Sequence, residues 1–240
     1  MAETIYWSKN AKATIGASGQ TNWTNAREAA ESSLSTLNTT SLNIAVTKLQ
    51  RFSARGTPSF GLGRAYFAFD FSSYTTGTIT NLKFHYKPTT SSNFGANHYL
   101  VKFTGFGNSS TFSNYDDSSW WDDISTIGAA NTYSAAFLIN NNTTAASVSL
   151  TSQAITDAQS DGFLQVALMN TGDYNDLQPP ADTDNQIYFN IGSSTGGNVY
   201  LQFDYVAEGY TRPINGSEVQ YNKVNDVSAT VIEKVNDLAD

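Results

Sequence analysis

The sequence predicts an all-β fold: an antiparallel β-sandwich of jelly-roll type, followed by a short, partly helical, repetitive C-terminal tail. Three observations lead there. Apolar residues recur mostly with a period of two, which is the period of a strand with one buried face. The periodic runs are short and separated by polar, turn-rich connectors. Ser, Thr and Asn make up about a third of the 240 residues, and charged residues only 14%, a composition suited to many turns and outward sheet faces. The expected organisation is one sandwich domain over residues 1–210 and a docking tail over 211–240.

Taken in chain order, Trp7 and Trp23 are expected to anchor a first strand and helix to the core. Residues Asn25 to Leu34 suit two or three helical turns after an Asn cap. A strand is expected over Leu42–Phe52. Gly61-Leu62-Gly63 lacks the third glycine of a dinucleotide fingerprint and leads into a strand, so it is read as a turn. From Gly63 to Phe71, Phe67, Phe69 and Phe71 share one face, and Arg64, Tyr66 and Asp70 the other, the pattern of a half-buried strand. Ser72 to Gly77 is a connector. Thr78 to Lys87 then places Leu82, Phe84 and Tyr86 inward, and Lys83, His85 and Lys87 outward. Further strands are expected at Asn97–Phe106, Tyr133–Ile139, Ser147–Thr151, Phe163–Asn170, Gln186–Ile191 and Val199–Val206. Asp116 to Ile124 reads as a loop or a single helical turn. Ser152 to Gln159 suits a helix ending before Asp161-Gly162.

The tail is repetitive. Lys223-Val224-Asn225-Asp226-Val227 recurs eleven residues later as Lys234-Val235-Asn236-Asp237-Leu238. Val224, Val227, Val231, Val235 and Leu238 fall on one face of a slightly underwound helix. Asn-Asp also favours turns, so short helix–turn units capped at Ser228 fit equally. Either way the stripe needs a surface to cover it, on its own domain, on identical copies or on another protein.

Charge and special residues narrow the function. The chain carries 13 basic and 21 acidic residues, net −8, and no cysteine. An acidic balance without a basic patch argues against nucleic-acid binding. Without cysteine there are no disulfides or thiolate metal sites. Two histidines, His85 and His98, are too few for a multi-histidine zinc site, and both are expected at the surface. No apolar run approaches a bilayer span, and Met1 to Trp7 lacks the basic and apolar regions of a secretory signal, so neither membrane insertion nor secretion is expected.

Two stretches carry resemblances. Gly63-Arg64-Ala65-Tyr66-Phe67-Ala68-Phe69-Asp70-Phe71-Ser72-Ser73, followed by Ile79-Thr80-Asn81-Leu82-Lys83-Phe84-His85-Tyr86, resembles jelly-roll modules of the DNRLRE type. Val199 to Tyr205 resembles their closing strand, without the proline that often precedes it. Asn81 stands where those modules usually have Ser-Ala. The resemblance spans about residues 40–206 and implies a module of bacterial surface proteins, carbohydrate-associated proteins or phage particles. The K-V-N-[GD]-[VL] units of the tail resemble those in structural proteins of tailed bacteriophages, with Asp226 and Asp237 where Gly is commoner. Together they imply a virion structural or accessory protein: capsid decoration, fibre or tail component. It would be made in the host cytoplasm and would assemble with other virion proteins and copies of itself.

Carbohydrate binding, for attachment to a host-surface glycan, is the alternative. Tyr115, Trp120 and Trp121 lie among carboxylates and amides, the residue types that grip a sugar ring. Asp173, Tyr174 and Asp176 form a second polar cluster beside Pro179-Pro180. Polysaccharide hydrolysis is disfavoured, because no glutamate lies between Glu31 and Glu208, so any catalytic carboxylate pair would be Asp–Asp. No cofactor is expected. The candidate pairs Asp116-Asp117, Asp122-Asp123, Asp173/Asp176 and Asp182/Asp184 would at most hold calcium. Arg64 and Asp70 are expected to orient polar groups on the outer sheet face or to pair with a neighbouring strand.

Overall fold

The computed structural model describes residues 2–28, 34–36, 44–54, 56–92, 96–105, 131–139, 145–190, 198–208, 223–224 and 227–228. The fold is organised around one strand, β4 (Thr57–Asp70). Every residue from Phe60 to Phe69 is buried. Its odd positions, Ala65, Phe67 and Phe69, with Phe71 beyond its end, enter one core, and its even positions, Phe60, Leu62, Tyr66 and Ala68, enter another. The half-buried strand expected from alternation is therefore buried on both faces, and Arg64 and Tyr66 point into protein, not solvent. Gly61-Leu62-Gly63 is also no turn. It lies inside β4, where the side chains of Lys48 and Gln50 cross the glycines so closely that a Cβ at Gly61 would lie 2.8 Å from Lys48 Cε.

All strand pairings are antiparallel. The strand β1 (Ala2–Gln20) belongs to two sheets: Ala2 to Tyr6 pair with β12 (Val199–Val206), and Trp7 to Gln20 pair with β4. The first sheet continues from β12 to β5 (Thr78–Tyr86) and β9 (Ala146–Ser149). In the second, β3 (Ile44–Ala54), β11 (Thr183–Asn190) and β6 (Pro88–Ser92) extend outward from β4. On the same edge of β4, β10 (Phe163–Asn170) leads to β7 (Ala96–Lys102) and β8 (Phe137–Ile139). A short strand, β2 (Leu34–Thr36), pairs with β1. The main core fills the space between the sheets. Phe71 stacks on Phe203 at 5.3 Å, and Phe69 meets Phe84 edge-on. Each such ring contributes about 1.5–3 kcal/mol by leaving water.

The shared edge of β4 makes a fork. Pairing with β3 runs from Ala54↔Thr57 to Lys48↔Gly63. Pairing with β10 runs from Phe163↔Asp70 to Leu168↔Ala65. Two strands cannot occupy one edge position, so both part from β4 at Arg64, β3 continuing along β11 and β10 along β7.

Two helices follow their local signals. Thr151 caps α2 (Ser152–Asp161), and Gly162 closes it in the left-handed conformation. Its Asp157 accepts hydrogen bonds from Lys102, Tyr133 and Gln153. Burial alone would raise the Asp157 pKa, but these partners hold it below the usual carboxylate value, while burial and Asp157 raise that of Tyr133. The first helix, α1 (Trp23–Arg27), starts earlier and is shorter than expected, because Asn22 is its cap. In the tail, β13 (Lys223–Val224) pairs with β14 (Val227–Ser228), so Val224 and Val227 oppose each other across a ladder instead of sharing a helical face. Val231, Val235 and Leu238 lie outside the described residues.

Gly77 joins the 3₁₀ turn Ser72–Tyr74 to β5 with φ +84°, and a Cβ there would collide with the Val206 carbonyl. Gly56 has φ +83° but open space around it. Gly77→Ala is expected to cost more than Gly56→Ala in urea unfolding, about 2–4 kcal/mol against about 1 kcal/mol. Equal costs would show that the end of β12 beside Gly77 yields freely.

Candidate functional site

The loop after β10 is built on buried charge. Asn170 caps the single turn α3 (Thr171–Tyr174), its side chain accepting from Gly172 N at 2.8 Å. This turn carries Asp173 inward to zero exposure. Arg64 donates from Nε to Asp173 Oδ2 at 2.6 Å and from Nη2 to Oδ1 at 2.8 Å, a bidentate match. Arg27 donates from Nε to the same Oδ1 at 3.3 Å, and its Nη1 lies 2.9 Å from Asp176. Trp23 Nε1 donates to Asp176 Oδ1 at 2.9 Å. Burial alone would lower the Arg64 pKa. The charge and hydrogen bonds of Asp173 reverse this, so the guanidinium stays protonated. Two cations face two anions, and the cluster is neutral as a whole.

These ties shape a cleft. It has a volume of about 430 Å³ and is lined from β3 by Leu49, from β7 by Ala96 and Asn97, from β11 by Thr183 and Asn185, and from the loop by Asn170 to Gly172 and Leu177 to Pro180. The loop wall is pinned throughout. Leu177 N donates to Gly172 O, Arg51 Nη1 to Pro179 O at 3.1 Å, and Thr183 Oγ1 to Pro180 O at 2.7 Å. Asp176 and Asp182 hold φ values of +53° and +60°, a conformation non-glycine residues rarely adopt. Beneath Ala96, the ring of His98 is buried. Its Nδ1 lies 2.9 Å from Ala96 O, which can only accept, so Nδ1 carries the proton and Nε2 accepts from Thr47 Oγ1 at 3.0 Å. Burial pushes the His98 pKa down to about 4.

The sequence-derived candidates divide sharply. Asp173 serves the interior. Asp176 is at the surface but is held by Arg27 and Trp23. Tyr174 is half-buried, bonded through its hydroxyl to Thr132 at 2.7 Å and packed on Tyr99 at 4.3 Å. Tyr115, Trp120 and Trp121 lie outside the described residues, as do Asp116, Asp117, Asp122 and Asp123. Among the described residues no group of three or more His, Asp or Glu is placed to hold a metal ion. Asp184 accepts from Gln50 and Gln186, so its carboxylate is spent on internal bonds, while Asp182 is exposed. Asp70 is exposed and bonds Ser72 N, so it forms no pair with Arg64. His98 is buried where a surface residue was expected, because its two ring nitrogens are both satisfied inside. His85 is partly covered, stacked flat on Tyr200 at 4.6 Å. Asn97, Asn185 and Leu49 were missed, since the cleft is assembled from separate strands and no local pattern links them.

Among the described residues no helix is long and apolar enough to cross a membrane. No protein-family model matches the chain, and no curated protein matches its sequence.

Two outcomes follow from the buried groups. Asp173→Ala strands two buried guanidinium contacts and is expected to lower unfolding stability by about 3–5 kcal/mol, against about 1 kcal/mol or less for exposed Asp70→Ala. A small loss at Asp173 in a denaturant titration would mean the cluster does not hold the fork. For His98, the unfolded chain takes up a proton below about pH 6.5 and the folded chain only near pH 4, so acidification through this window destabilises the fold. The loss should approach roughly 3 kcal/mol. Unfolding curves of His98→Gln should lack this part of the pH slope.

Proposed function

We propose that this chain is a structural or accessory protein of a tailed-bacteriophage particle, joined to neighbouring virion proteins and to copies of itself through its sandwich surface and its repetitive tail. One observation carries the reading. The Lys223-Val224 and Val227-Ser228 ladder stands apart from the main sheet. A ladder so short is not stable alone in water. The same residue types return in Lys234 to Leu238, offering a second unit of the same kind. Repeated units that need an outside surface suit a docking element, and burial of their valines and leucine against a neighbour would supply the free energy.

The resemblance of residues 40–206 to DNRLRE-type modules supports the same reading, as does the resemblance of the tail to phage structural proteins. Position in the particle follows from which neighbour the tail meets: capsid shell, fibre or tail. A second reading, attachment to a host-surface glycan, is favoured by the cleft, whose lining among the described residues contains amides, hydroxyls and apolar groups and no titratable side chain. That lining supports binding over hydrolysis, which needs a proton donor at the bond broken.

The test is incorporation. The full chain should occur in purified particles in stoichiometric copies, and a chain ending at Val206 should fold but stay out of them. Normal incorporation of the shortened chain would remove the docking role of the tail.

A further inference from the structure

We infer that the cleft between β3, β7 and the Asn170–Thr183 loop is a binding site for a neutral carbohydrate. The inference rests on the second reading above, which it narrows to uncharged sugars, and not on the particle assignment. Its volume of about 430 Å³ falls in the roughly 300–1,000 Å³ range of small-ligand sites.

The lining selects the chemistry. Asn97 and Gln178 are exposed and Asn185 is half-buried, and each amide offers both donors and an acceptor. A sugar hydroxyl likewise donates and accepts, so amides match it without a net charge. Leu177 supplies apolar surface for the C–H face of a ring and is 61% exposed, unusual for a large apolar residue. Among the described residues of the lining, a phosphate, sulfate or carboxylate ligand would find no cation. An apolar ligand would lose water at the amides without replacing it.

The wall is built in advance of any ligand. The Arg27–Asp173–Arg64 cluster fixes its base, three hydrogen bonds to its backbone carbonyls fix its course, and two non-glycine residues are held in the left-handed region. Strain of this kind costs about 1–3 kcal/mol per residue and concentrates at binding sites. Preorganisation lowers the ordering cost of weak polar contacts. Because the cluster turns Asp173 inward onto Arg64 and Arg27, that carboxylate stays out of the described lining of the cleft.

The experiment presents the full chain with immobilised neutral oligosaccharides of hexoses and N-acetylhexosamines, beside sialylated, sulfated and uronic-acid counterparts. At least one neutral glycan should bind. Asn97→Ala and Asn185→Ala should each weaken it by about tenfold while keeping the wild-type unfolding midpoint. No binding to any neutral glycan, or binding to charged glycans alone, would overturn the inference. So would unchanged affinity in both variants, and loss confined to Trp120→Ala or Trp121→Ala would move the site to that aromatic stretch. Particle incorporation of the same two variants is expected to stay normal, so failure here and failure of the assembly reading are separate results.

Discussion

The fold depends on how one strand edge is divided. Up to Gly63 the edge of β4 belongs to β3, and from Ala65 it belongs to β10. Arg64 is the residue between, and its side chain enters the second core. An apolar residue would fill that space, but it would not specify which loop closes over the fork. The guanidinium does, because its planar fork of N–H groups donates bidentately to a carboxylate at one geometry. Burying the charges costs several kcal/mol each. The cost is offset only because Asp173, Arg27, Asp176 and Trp23 arrive together and satisfy one another.

This arrangement links distant parts of the chain. Trp23 and Arg27 come from the helix after β1, Arg64 from the central strand, and Asp173 and Asp176 from the turn after β10. Each element is too short to be stable by itself: α1 has five residues and α3 four. They hold because tertiary bonds replace the missing helical ones. The second core, with Phe60, Leu62, Tyr66, Val101 and Met169, packs around the same region. The fork, the second core and the cleft are thus one structural problem with one solution.

Much of the sandwich was legible in the sequence because its cause is local. Phe163–Asn170 and Val199–Val206 fall where alternation and flanking turn residues place them. The Thr151 and Gly162 caps likewise mark α2 through single-residue chemistry. The long β1 was less visible. Its polar composition gives little alternation, and its strand character comes from pairing with β12 and β4. Gly61 and Gly63 misled because a glycine's usual role is the turn, whereas here it leaves room for Lys48. His98 and Arg64 misled because polarity predicts exposure unless partners are known, and Asp173 lies 109 residues from Arg64. The candidate site was found in part: the Asp-rich segment beside Pro179-Pro180 does form the wall of the cleft, but with its best carboxylate turned inward.

Charge is unevenly spread along the chain. The described ion pairs are spent inside or between elements, and none projects from the cleft. Residues 211–240 hold three basic and five acidic residues, net −2, and residues 1–210 carry the remaining −6, so the short tail is the more acidic part per residue. Copies of such a chain repel through their sandwiches, but at physiological salt the repulsion fades over about 8 Å. Where a tail bearing valines met a neighbour, apolar burial would have to outweigh its own negative charge only within that short range.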